Sequence, residues 1–118
     1  MYGLPADTNL DFLKRATFVQ ACFGGNDLIL NFTGNITISI FSTIGVGPRR
    51  DDLKKYSRFG DAAGEILGLL NMEVMSVDWS ADGTVTLVLE SGHVLQVYDD
   101  STSFESFIIK SPLGQLIV

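Results

Sequence analysis

A chain of 118 residues is expected to form one domain, long enough to bury roughly two thirds of its unfolded surface around a single core. Its 46% hydrophobic and 19% charged residues exclude the compositions that stay disordered, and no apolar run approaches the roughly 18 residues a membrane helix needs. A formal charge of −6 opposes broad binding to nucleic acid or to an anionic membrane, so neither is expected as a partner.

The start, "MYGLPADTNL", shows no basic segment followed by an apolar stretch, and a single cysteine, Cys22, cannot close an internal disulfide. A cytoplasmic location is therefore expected. On that footing the sequons at Asn31 and Asn35 are chance matches.

The first element predicted is a short helix from Asp7 to Lys14, capped by Asp7 or Thr8, with Leu10, Phe12 and Leu13 toward the core. Leu13 to Ile40 then reads as three strands with alternating apolar residues, joined by turns at Gly24-Gly25-Asn26-Asp27 and Thr33-Gly34-Asn35. The segment "FSTIGVGPRRDDLKKYSRFG" reads as a loop opened by Gly45, Gly47 and Pro48. It leads into a helix, "DAAGEILGLLN", in which Ile66, Leu67, Leu69 and Leu70 have helical spacing and Asp61 can cap the start.

Leu69 to Val97 repeats the earlier plan. Val19, Ala21 and Phe23 match Met75, Val77 and Trp79 at a shift of 56 residues, and after one inserted residue Leu28, Leu30 and Phe32 match Val85, Leu87 and Leu89. Two further strands, in "SFIIK" and "QLIV", close the chain. The fold expected is mainly β with minor α (α+β). Two duplicated antiparallel meanders, 13–40 and 69–97, form a compact sandwich or partly closed barrel, with one helix between the copies and a short N-terminal helix.

The polar stretch "YDDSTSFESFII" offers the first candidate site. Asp99, Asp100 and Glu105, with Ser101 and Ser103, carry the oxygen ligands a hard cation prefers, although "DDSTSFE" lacks the central glycine and ligand ladder of an EF-hand. Turn chemistry explains the same residues. Strand parity carried back from Phe107 and Ile109 sets Glu105 toward the core, where a carboxylate needs a partner. Its two readings are a structural clamp and a ligand-binding group.

Cys22 and His93 are the sole thiol and imidazole, and nothing in their spacing joins them into a nucleophilic pair or a zinc site. Neither "GVGPRR" nor "GEILGLL" has the pattern of a nucleotide loop. No cofactor is expected. Arg49, Arg50, Lys54, Lys55 and Arg58 form a basic cluster interrupted by Asp51 and Asp52, and read either as a solvated connection or as a docking surface. The Asp99-Asp100 corner would complement it in a symmetric homodimer.

"YGLPADTNLDFL", "VQACFGGNDLILNF", "LGLLNMEVMSV" and "VYDDSTSFESF" together resemble a family of small bacterial proteins known only as a domain of unknown function. The shared features are a glycine-leucine-proline opening, a Cys-Phe-Gly turn and an Asp-Asp-Ser then aromatic-Glu-Ser ending. The resemblance spans nearly the whole chain and implies no catalytic residue, substrate or partner. The first aromatic of that ending is Phe104 here, so a tyrosine hydroxyl is not offered at that place.

Because no nucleophile, base and orienting group assemble, the function expected is that of a non-catalytic binding or interaction protein, immunity-type or self-associating. The alternative is a carboxylate-dependent metal-binding protein or hydrolase using residues 99–105.

Overall fold

The computed structural model describes residues 3–102 and 104–118. Among these, β1 (Phe18–Phe23), β2 (Leu28–Phe32) and β3 (Ile36–Ile40) form a meander, followed by the hairpin β4 (Ile44–Arg49) and β5 (Asp52–Tyr56). A 3-10 turn, Phe59–Ala62, runs into α1 (Ala63–Leu67). The second meander is β6 (Val74–Trp79), β7 (Val85–Leu89) and β8 (Val94–Val97), and the chain ends in the hairpin β9 (Phe107–Ser111) and β10 (Gly114–Ile117).

Strands β2 and β3 form for the reason their alternation suggests, whereas Val19 and Phe23 on β1 and Met75 on β6 are exposed. Leu28, Leu30, Phe32, Ile36, Ile38 and Ile40 are buried while the residues between them are not, as a sheet with one covered face requires. Gly34 and Asn35 both have positive φ, the geometry of the tight turn that sets β2 against β3.

Each meander is completed by the hairpin that follows the other one. The first sheet has the order β1-β2-β3-β9-β10 and the second β5-β4-β8-β7-β6, antiparallel throughout. The exchange covers the β3 and β8 edges and ties the two sheets together, leaving two packed five-stranded sheets and not a closed barrel. The core lies between them, with Leu30, Ile38, Ile40, Leu87, Ile109 and Phe107 fully buried.

Contacts between the meanders come in pairs 56 residues apart. Arg15 N–H donates to the Val74 carbonyl at 2.8 Å, and Asn71 N–H donates to that of Phe18 at 2.7 Å. Arg15 and Asn71 both have positive φ, Thr17 bridges Glu73, and the ladders carry irregularities after Phe18 and after Val74. Leu10 and Leu13 are buried on one side as Ile66 and Leu69 are on the other.

Three expected elements take different forms. The N-terminal helix is a single 3-10 turn, Asp11–Leu13, preceded by the Asn9 carboxamide, which accepts the Asp11 N–H at 2.9 Å. Asp7 and Thr8 fall in an earlier turn, in which Thr8 N–H donates to the Pro5 carbonyl, and do not lead into the 3-10 turn. Asp61 lies inside its 3-10 turn with its N–H on the Arg58 carbonyl, and no side chain caps that turn or α1. Lastly, the expected loop 41–60 holds the β4–β5 hairpin. Its glycines are what let it pair: a Cβ at Gly47 would overlap the Asp52 carbonyl, and one at Gly45 would lie 2.6 Å from the Tyr98 hydroxyl.

Candidate docking groove

The acidic stretch does not converge on one point. Asp99, 6% exposed, accepts the Gly3 N–H on Oδ2 and the Ser106 hydroxyl on Oδ1, each at 2.6 Å. Gly83 packs so closely on it that a side chain there would overlap the Asp99 Cβ. Asp100 turns outward, where Oδ1 accepts the Thr43 N–H at 3.2 Å and Oδ2 lies 3.7 Å from Lys55 Nζ. Ser101 donates its N–H to the Ser106 hydroxyl and accepts the Phe104 N–H on its own oxygen.

The expected inward carboxylate is therefore Asp99 and not Glu105, which is half-buried. Parity fails because β9 starts at Phe107, and Ser106 and Phe107 are buried in succession, so the alternation does not extend back. Ser103 lies outside the described residues. Among the described residues no three His, Cys, Asp or Glu side chains stand where they could share a metal ion.

The basic cluster is largely matched within the chain. Arg49 pairs with Asp51 at 3.3 Å and with Asp52 at 3.8 Å, and Arg50 pairs with Asp78. Lys55 also lies 4.5 Å from the centre of the Tyr98 ring, and Lys54 5.4 Å from that of Tyr56. The Tyr98 phenol is pushed above its ordinary 10.0 by burial and then by the Asp100 charge. Arg58 makes no ion pair among the described residues and stands in a groove.

That groove has a volume of about 860 Å³ and is built where several strands end. The β1–β2 turn supplies Gly24, Gly25 and Asn26, the exit from β3 supplies Phe41, the exit from β5 supplies Ser57 to Asp61, and Phe104 forms the last wall. A second hollow of about 310 Å³ shares Phe41, Ser57 and Phe104 and adds Thr43, Asp100, Ser101 and Thr102. Phe104 is 54% exposed there, and Phe41 is half-buried. Two phenyl rings, a guanidinium, carboxylates and turn backbone can hold an apolar side chain flanked by polar groups.

The groove brings together Arg58, Asp100 and Ser101 from the expected site residues, and leaves Arg49 and Arg50 elsewhere. Neither the thiol nor the imidazole of the described residues lines it. Cys22 is exposed on β1, while His93 Nδ1 lies 2.8 Å from the Ser91 hydroxyl in the β7–β8 turn, with no carboxylate bonded to it among the described residues. Phe41 and Phe104 are the groove aromatics that the sequence pattern does not single out as site residues, and Phe104 carries the clearer signal. Its signal was an aromatic set among hydroxyls in a segment with no strand of its own.

Comparison of the chain with protein-family models, curated proteins and solved structures finds no match.

Proposed function

We propose that the protein is a non-catalytic binding module that takes an extended segment of a basic protein partner into the groove lined by Phe41, Arg58 and Phe104. The observation that carries this reading is the half-exposed Phe104 ring beside Phe41, since aromatic side chains in a concave, partly wet setting are what protein interfaces use as anchors. Charge supports the nature of the partner. The chain as a whole carries −6, and Arg58 in the groove is offset by Asp61 beside it, so the field of the whole chain, more than the groove itself, favours a basic partner.

An immunity-type role in the cytoplasm is one concrete form of this reading. In the same reading the pairs of contacts 56 residues apart reflect a duplicated five-strand unit with exchanged hairpins. No helix among the described residues is long and apolar enough to cross a membrane.

Selection of a displayed random-peptide library on the immobilised protein tests the proposal. Enriched peptides should combine Lys or Arg with an apolar residue, and Phe104→Ala should weaken their binding by roughly tenfold or more. Absence of enrichment over an unrelated acidic protein, or binders indifferent to both Phe104→Ala and Phe41→Ala, would overturn it.

A further inference from the structure

The four strands at the sheet edges are not protected alike. β5 carries Asp52, Lys54 and Lys55, and the β1 and β6 ladders are irregular after Phe18 and after Val74, features that discourage a further strand. β10, "GQLI", has neither charge nor irregularity. Ile117 on it is 44% exposed, and Leu113 in the turn before it is 82% exposed.

The pairing of β10 fixes which of its backbone groups are open. Val118 and Phe107 exchange hydrogen bonds, Val118 N–H donating at 2.9 Å and Phe107 N–H at 3.4 Å. Partners along an antiparallel ladder alternate between bonded and non-bonded pairs. Leu116, opposite Ile109, is therefore bonded into the sheet, while the N–H and C=O of Gln115 and Ile117 turn to the free edge.

We infer that β10 is a self-association edge, on which a second copy of this chain adds its own β10 antiparallel across a twofold axis at Leu116. The open residues are two apart, so that axis sets Gln115 of each copy against Ile117 of the other and closes four backbone hydrogen bonds. Other registers of the same strand leave some of these groups unmatched. A cleft of about 370 Å³ beside the strand, lined by Asp7, Thr8, Leu113, Gln115 and Leu116 among others, leaves room for the incoming chain. Contact over so few residues makes a weak dimer that forms and separates with concentration. This edge is separate from the groove, so either proposal can fail alone.

Sedimentation velocity on the full chain from micromolar to millimolar concentration tests the inference. Wild type should shift from monomer to dimer, whereas Gln115→Pro, which removes an N–H that points away from β9, should raise the dissociation constant by roughly tenfold or more. Ile117→Lys sets a charge on an exposed position of the edge and should do the same, so the test stands even if the proline variant fails to fold. A wild type that stays monomeric at millimolar concentration, or a dimer that survives whichever of the two variants folds, would overturn it.

Discussion

Across the outer face of the first sheet, Cys22, Ile29, Ser39, Ile108 and Ile117 follow one another from strand to strand; across the second, the corresponding places are held by Asp78, Thr86, Gln96, Gly45 and Lys55. The second row is a connected polar network. Arg50 pairs with Asp78, Gln96 donates to Thr86 at 3.1 Å, Tyr98 lies over Gly45 and donates to Gln96 at 2.7 Å, and Lys55 closes the edge over the Tyr98 ring. The first row is mostly apolar and ends at the open edge of β10. Two sheets with matched ladders inside thus have different outsides, one a polar network closed by its own side chains and one mostly apolar up to the β10 edge.

The matched interior is where the largest effects should lie. Leu30 and Leu87 hold corresponding positions, both fully buried, so Leu30→Ala and Leu87→Ala should each cost about 2–5 kcal/mol in urea unfolding. A large cost at one site and a small one at the other would break the correspondence of the sheets.

Next comes the corner after β8. Asp99→Asn should cost about 1.5–3 kcal/mol, because the buried carboxylate accepts two short hydrogen bonds that a neutral amide cannot both reproduce. Glu105→Gln should change stability by no more than about 0.5 kcal/mol. The reverse order, measured by denaturation of the two variants, would return the clamp role to Glu105.

The smallest expected effect concerns the polar row. Since the Tyr98 phenol is raised by burial and by Asp100, the fold favours its neutral form. That contribution is complete below the ordinary value of 10.0 and is lost as pH rises through the higher folded value. Thermal melts above pH 10.0 should therefore show a shallower loss of stability for Tyr98→Phe than for wild type, and parallel curves would argue that Tyr98 is not held in the row.

Much of the meander architecture was legible in the sequence because Leu28, Leu30, Phe32 and their counterparts recur at every second position between segments of turn residues. The strands of β9 and β10 were legible as well, whereas the β4–β5 hairpin and the exchange of hairpins between the sheets were not. β4 is rich in glycine and β5 in charge, and both are strands through what lies beside them, Tyr98 over Gly45 and the Asp52 carbonyl against Gly47, contacts that local pattern cannot show. The corner misled for a related reason. Asp99 is buried by Gly3, Gly83 and Ser106, two of them distant in sequence, while counting strand parity back to Glu105 assumed a strand that begins only at Phe107. Arg49 and Arg50 looked available for a partner until the hairpin brought Asp52 and Asp78 to them.

The contrast between the two edges is tested most directly by residue-resolved amide hydrogen exchange at low and high protein concentration. The Gln115 and Ile117 amides should exchange freely when dilute and become protected as concentration rises, while the amides along β5 keep the same rates throughout. Unchanged exchange at Gln115 and Ile117, or protection gained along β5 instead, would contradict that contrast.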